Sequence, residues 1–597
     1  MKKLLIKSLL AGCLIIFAVS AQLSCSDDWD EHYDSKITGD YYEGNLMQMI
    51  DSKSELSDFA EILRAAGYDQ QLEKNQVLTI LAPKNGTFDK AALLSRIQNG
   101  QKDKVITEFI QNHISRYNQS MDNEKHTIMM FNDKFMDMQT KSEATIENIN
   151  VADMNLVCKN GVMHILEGAI PYSYNIYELL AEDYEEQKAN TPDFDPEWAS
   201  FYKYANLMQT KTLDETHSIS YGINQETGEY IWIDSVVIIN NKILRPLDAY
   251  IYREDSTYLT IFPSLQAYNN RVEGIKSLFN FSEAYDPDES FRDSLQLYNA
   301  HYYAMCDLNY NLHMNNMSDP ESKVYDNGLN VDTLFSTAYS KKAWPYNVYY
   351  YPFEMSGILS SYKEIVKCSN GYVYKMDEYP FSVYSNVFKE LTLQAENYGL
   401  VNFDTDNNTS KPTPYTNTST TIITPVQISA DSISGTGYMH VVPQSANRNT
   451  EIAYLLPSTL SGQYDIYVKF LPLNVYNEDA QLMPLQFRAS IYEKRENGRF
   501  TNEDKPQIEF VNPELGNKNF RTDPEHVDSL YVGTYKFDYC YLGVNPGVML
   551  KLESYVLTSQ AKNYTKEMLI DKIILIPNRN KHNWDGLYIE SDEARKR

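Results

Sequence analysis

His113, His164 and His301 are the side chains of this sequence with the most obvious capacity for chemistry. An imidazole activates a nucleophile only beside a serine or cysteine on a strained turn, with an acid to orient it. The sequence has no G-x-S-x-G elbow, and it has no H-E-x-x-H, Walker loop or dinucleotide fingerprint. Carboxylate pairs are common, as in Asp27-Asp28 and Asp286-Pro287-Asp288. A glycosidase needs two set across a cleft at about 5–9.5 Å, and adjacency in sequence does not supply that. Cys158, Cys306, Cys368 and Cys540 lie far apart with no C-x-x-C pair. That spacing argues against a zinc site or a disulfide framework and for buried free thiols. The expectation is a protein without catalytic residues, metal ligands or cofactor.

Binding chemistry is better represented. The 597 residues include 48 tyrosines, and a phenol offers an apolar face for stacking and a hydroxyl for hydrogen bonds. Most of the 48 are expected to serve strands and interfaces. The run AWPYNVYYYPF at 343–353 gathers Trp344, Tyr346, Tyr349 and Tyr350 in a predicted long loop. Exposed there, the rings would stack on sugars or on a partner protein; the alternative is a loop folded back on its own domain. Acidic residues number 81 against 53 basic ones, for a net charge of -28. Such a field repels phosphates and excludes nucleic acid as a ligand.

The N-terminus gives an address. Lys2, Lys3 and Lys7 precede an apolar stretch at 8–21, too short for a span of about 20 residues but suited to a signal peptide. Two cysteines compete as the lipidated residue. Leu10-Ala11-Gly12-Cys13 looks like a lipoprotein cleavage box, but cleavage there leaves almost no apolar core before it. Cys25 has the whole core upstream and polar chain downstream, so the signal peptide is placed at 1–24 and the acyl chains on Cys25. Ordinary secretion with cleavage near Ala21 is the alternative. The residues that follow, SDDWDE, resemble the acidic export signal of Bacteroidota surface lipoproteins. They open an acidic linker at 25–37. The expected location is the outer membrane, lipid-anchored and facing the cell exterior.

The elements that position these residues repeat. Leu46, Met49, Ile50, Leu56, Phe59, Ile62 and Leu63 are spaced for two short amphipathic helices. Residues 77–82 read as a buried strand ended by Pro83, residues 103–117 as another amphipathic helix, and Asn160-Gly161 as a tight turn feeding a strand. TILAPKNGTF at 79–88, FIQNHISRY at 109–117 and NGVMHILEGAI at 160–170 together resemble the three blocks of a fasciclin-like adhesion domain, here spanning 38–174. TIFPSLQAY at 260–268, LYNAHYY at 297–303 and CSNGYVYKM at 368–376 repeat that order. Residues 175–387 therefore resemble a second, degenerate copy with an inserted hairpin around 217–247. The resemblance implies structural roles for His113, Asn160, Gly161, His164, His301, Asn370 and Gly371. Cys158 and Cys368 fall at equivalent positions and are expected to be buried alike.

From about 388 the pattern changes to alternating strands. In GQYDIYVKF at 462–470, Tyr464, Ile466, Val468 and Phe470 share one face. With LTLQAE at 391–396 and LIDKIILIP at 569–577, this stretch resembles galactose-binding-like β-sandwiches, including carbohydrate-binding modules. The sandwich is placed at 388–578 and a polar tail at 579–597, and a polar insertion near 496–528 has no place in the compact pattern. Tyr438, His440, Tyr467, Tyr531, Tyr535 and Tyr541 are candidates to line a binding face in the sandwich, on a side that the sequence does not assign. Glu396 is expected to face solvent; the alternative, which the resemblance implies, is a ligand for a structural calcium. The fold expected is thus multidomain: two α+β fasciclin-like domains followed by an all-β sandwich. The function expected is non-enzymatic binding of glycan or protein at the cell surface, as an accessory of a starch-utilisation-type uptake system. Its partners would be a TonB-dependent transporter and that transporter's surface lipoprotein. The alternatives are an adhesin and, further off, a glycan-acting enzyme.

Overall fold

The computed structural model describes residues 41–578 apart from 75–76, 123, 141–142, 191–199, 217, 224–229, 235–236, 326–329, 341–346, 402–415, 418–420, 494–504 and 543–546. Cys25, Trp344 and Tyr346 lie outside the described residues.

The first α+β domain is built on the strand Leu78–Pro83, buried at all six positions. Both its faces are covered, so it reads as an unbroken apolar run rather than an alternating one. Gly161–Leu166 pairs with it in parallel and Ile114–Arg116 antiparallel. The sheet continues through Ile149–Cys158 to three shorter strands and has eight strands among the described residues. Helices Leu46–Asp51 and Ser57–Ala65 cover one face, and all seven residues assigned to their apolar side are buried.

The expected helix over 103–117 is shorter and irregular. It runs from Lys102 through a wide turn at Ile106–Ile110 to a tight turn at Gln111–His113, then becomes the strand Ile114–Arg116. His113 explains the stop. Its ring caps the carbonyl of Phe109 at 2.7 Å and frees the chain to turn into the sheet. Amphipathic spacing alone did not carry that information.

The second domain repeats the plan. Tyr258–Pro263 pairs in parallel with Gly371–Met376 and antiparallel with Asn309–Asn311, and Glu364–Cys368 adds an outer strand. Helices Ile176–Asn190, Leu265–Lys276 and Glu289–Met305 pack on it. The expected inserted hairpin is a long two-part ribbon, with Gln209–Leu213 against Val237–Asn241 and Ile219–Ile223 against Tyr230–Asp234.

The C-terminal region is a sandwich of a seven-stranded and a five-stranded sheet among the described residues. Gly462–Phe470 alternates as expected, with Tyr464, Ile466, Val468 and Phe470 buried and the residues between them half-buried. The polar insertion does have a place. Ile508–Glu509 and Phe520–Arg521 pair with Gln486–Glu493 at the edge of the smaller sheet.

The sandwich and the second domain are joined through the core. Ser461 N–H donates to Leu278 O at 2.8 Å, and Cys540 N–H to Asn280 O at 2.6 Å. Phe388 is fully buried, with its ring 4.8 Å from that of Tyr464. Buried apolar contacts run without a break from Tyr258 and Phe279 through Phe388 to Ile466.

Candidate functional site

The motif residues of the two copies do the same mechanical work. Asn160 Nδ2 donates to Leu72 O and Lys74 O, both at 2.8 Å, while its Oδ1 accepts from Leu46 N–H at 2.7 Å. Asn370 does the same with Ile251 O and Arg253 O at 2.8 Å and Ile176 N–H at 2.9 Å. Each asparagine thus pins the first helix of its domain to the start of the central strand. The glycine after it lets the strands meet: a Cβ would lie 2.0 Å from Leu78 O at Gly161 and 1.9 Å from Tyr258 O at Gly371.

The histidines are committed to structure. His113 donates from Nδ1 to Phe109 O and accepts at Nε2 from Ile170 N–H at 3.0 Å. His164 donates from Nε2 to Gln119 O at 2.9 Å and accepts at Nδ1 from Asn155 N–H at 3.3 Å. Burial pushes the pKa of each down to about 4, so both are neutral at pH 7. His301 keeps the position but not the partners. Its ring stacks 3.7 Å from that of Tyr204, and Nδ1 meets the Tyr268 hydroxyl at 2.8 Å. Pro380 stands where Ile170 stands in the first copy, and a proline has no N–H to give.

The aromatic candidates divide. Tyr350 is 70% exposed, beside Tyr351 and Met355 at 61% and 97%. Tyr349 turns inward instead: its hydroxyl donates to Asp307 at 2.8 Å and its ring lies 4.9 Å from Phe381. Tyr438 does not face a ligand: it is buried with Leu471 and Leu569. Tyr467 is half-buried on the outer face of the larger sheet, paired with Tyr531 at 5.3 Å.

Three residues converge at one end of the sandwich. The Tyr476 ring lies 4.1 Å from that of His440 and is 56% exposed, while His440 Nε2 meets Glu567 Oε1 at 2.5 Å. Glu567 also lines a shallow depression with Phe470, Leu471, Thr522, Asp523 and Leu569. His440 was legible as a candidate, but Tyr476 and Glu567 were not. Ninety-one residues separate those two in sequence, and only the return of the last strand beside Gly437–Pro443 brings them together.

Glu396 is not solvent-facing. It is 8% exposed, its Oε1 accepts from Thr436 N–H at 3.0 Å, and its Oε2 has no hydrogen-bond partner. The neighbouring carboxylate, Asp571, is fully buried and already meets Lys469 Nζ at 2.8 Å. Calcium takes six to eight oxygens from carboxylates, amides, backbone carbonyls and waters; here Gln394 and Thr436 add oxygens beside Glu396, while the Lys469 ammonium already neutralises Asp571. No cluster of three or more His, Cys, Asp or Glu side chains suited to a metal occurs among the described residues.

The fasciclin domain model matches residues 54–171, the span that holds Leu78–Pro83, His113 and Asn160-Gly161. Among solved structures, the FAS1 domain pair of the insect cell adhesion molecule fasciclin I is 12% identical, with a TM-score of 0.19 over 56% of this chain and 99% of that one. A Paenibacillus xanthan lyase is 11% identical, with a TM-score of 0.20 over 41% of this chain and only 20% of its own. The CBM35 from Cellvibrio japonicus Abf62 is 12% identical, with a TM-score of 0.15 over 32% of this chain and 94% of that one. At these scores none of the three bears on what the chain does. No protein of curated function matches the sequence. The chain is thus a multidomain protein with a fasciclin domain, a second α+β domain of the same plan and a terminal β-sandwich.

Proposed function

We propose that the chain is a non-enzymatic surface lipoprotein, held in the outer membrane through acyl chains on Cys25, that captures a glycan at the end of its sandwich. The cluster of Tyr476, His440 and Glu567 supports this reading most directly. An exposed ring covers the apolar face of a pyranose, and a carboxylate and an imidazole beside it take the hydroxyls. The finer reading is an accessory of a starch-utilisation-type system, delivering glycan to a TonB-dependent transporter and its surface lipoprotein.

Glycan-array screening of the full mature chain, followed by calorimetric titration of the best hit, tests the site. Tyr476→Ala is expected to weaken binding about tenfold or more with the fold intact. Binding unaffected by Tyr476→Ala and Glu567→Gln, or no glycan binding at all, removes the proposal. Palmitate labelling that is lost in Cys25→Ala tests the anchor. An adhesin is the second reading, favoured by the exposed Tyr350, Tyr351 and Met355, a cluster that suits a protein partner better than a sugar.

A further inference from the structure

The junction between the two α+β domains is built around one side chain. Lys134 lies in the turn between strands His126–Met129 and Phe135–Gln139 of the first domain, and its side chain is only 4% exposed. All its side-chain acceptors belong to the second domain. Nζ donates to Glu254 Oε1 at 2.6 Å, Glu178 Oε2 at 2.8 Å and Ser369 Oγ at 3.0 Å. An ammonium has three N–H groups and this pocket offers three oxygens. The Tyr172 ring adds a fourth wall, 5.1 Å from Nζ.

The acceptors are themselves held. Asn175 N–H donates to Glu178 Oε2 at 2.8 Å, and Glu178 N–H to Asn175 Oδ1 at 2.9 Å. This is the capping box that starts the helix Ile176–Asn190. Asn175 Nδ2 also donates to Glu254 Oε1 at 3.0 Å, and the Tyr172 hydroxyl to Glu178 Oε1 at 2.8 Å. The pocket is therefore shaped by the chain that links the two domains.

The first domain carries the same frame with different charges. Asn45 and Gln48 form its capping box. Gln48 stands where Glu178 stands, and the exposed Lys159 stands where Ser369 stands, next to the pinning asparagine. The second copy has thus gained a carboxylate and replaced a lysine with a small hydroxyl.

We propose that this altered helix cap is a socket for a primary ammonium, and that Lys134 is the latch that fixes the angle between the two domains. Desolvation offsets much of a buried ion pair's attraction, so the pair adds little to net stability. The latch therefore sets orientation, while each domain's core sets whether it folds. The surface pair Lys104–Glu182, at 2.6 Å and with both side chains 40% or more exposed, crosses the same junction. It is too solvated to hold an angle alone.

Spin labels at exposed Gln101 and Asn270 of the full mature chain read the inter-domain distance. The unaltered chain is expected to give one narrow distribution. Lys134→Ala is expected to broaden it about twofold. Lys134→Arg is expected to broaden it too, since a planar fork does not match three converging oxygens. Ser369→Lys, which installs the first copy's residue and leaves Lys134 in place, is expected to release the latch as well. Distributions as narrow as that of the unaltered chain in Lys134→Ala and Ser369→Lys would overturn the proposal. An unchanged near-ultraviolet spectrum shows that the variants are folded, and the result does not depend on what the sandwich binds.

Discussion

The two α+β domains share a frame but close their cores differently. The first encloses its own apolar side chains, gathered around Phe59 and Ile80 on one face of its sheet and around Ile128 and Met136 on the other. The second leaves its core open at Leu278–Asn280 and Phe388, and the sandwich completes it. One frame thus serves both a self-sufficient unit and half of a larger one. The boundary that matters for folding lies at the polar Lys134 junction, not at the change from mixed to all-β structure.

The largest difference between the two domains is expected at the paired glycine. Gly161→Ala and Gly371→Ala each drive a Cβ to about 2 Å from a backbone oxygen, a clash expected to cost more than about 4 kcal/mol. Gly161→Ala should unfold the first domain alone, whereas Gly371→Ala should take the sandwich with it. Limited proteolysis with mass mapping separates the two outcomes. Phe388→Ala comes next, at about 3–5 kcal/mol for a fully buried ring. Calorimetry should show the second-domain and sandwich signal moving down together while the first-domain signal stays.

Acid should also separate the units. His113 and His164 have folded pKa values lowered from 6.5 to about 4. The unfolded chain therefore binds protons first, and the first domain loses stability as pH falls from 6.5 towards 4. At pH 5 the loss is about 2 kcal/mol for each histidine. Asp307, in the second domain, works in the opposite sense, because burial raises its folded pKa above 3.8. Its contribution is full below 3.8 and is lost as pH rises through the folded value. Melting curves at pH 7 and pH 5 should show the first domain falling further than the rest. The smallest effect is expected from the helix caps. Asn45→Ala and Asn175→Ala should each cost about 1 kcal/mol, the first in the first domain only and the second in the shared unit.

What the sequence made legible follows from the range of each interaction. The blocks around Asn160 and Asn370 could be read because one asparagine and one glycine satisfy a local geometric demand that tolerates few substitutes. The strand at 462–470 could be read because its period is carried by adjacent residues. The end of the helix at His113 could not, since apolar spacing does not register a ring that bonds back to Phe109 and across the fold to Ile170. Tyr438 was misplaced for a related cause. Met439 and Val441 face the main core, while Tyr438 lies on the opposite face, where Leu471, distant in sequence, buries it. The socket for Lys134 needs residues 134, 178, 254 and 369, which no window of sequence contains.

Native-state hydrogen exchange on the mature chain distinguishes one cooperative unit from two. If the second domain and the sandwich form one cooperative unit, slowly exchanging amides of Gly371–Met376 and Gly462–Phe470 will open with the same free energy, and Phe388→Ala will lower both equally. Protection in Gly462–Phe470 that persists after Gly371–Met376 has opened would contradict it.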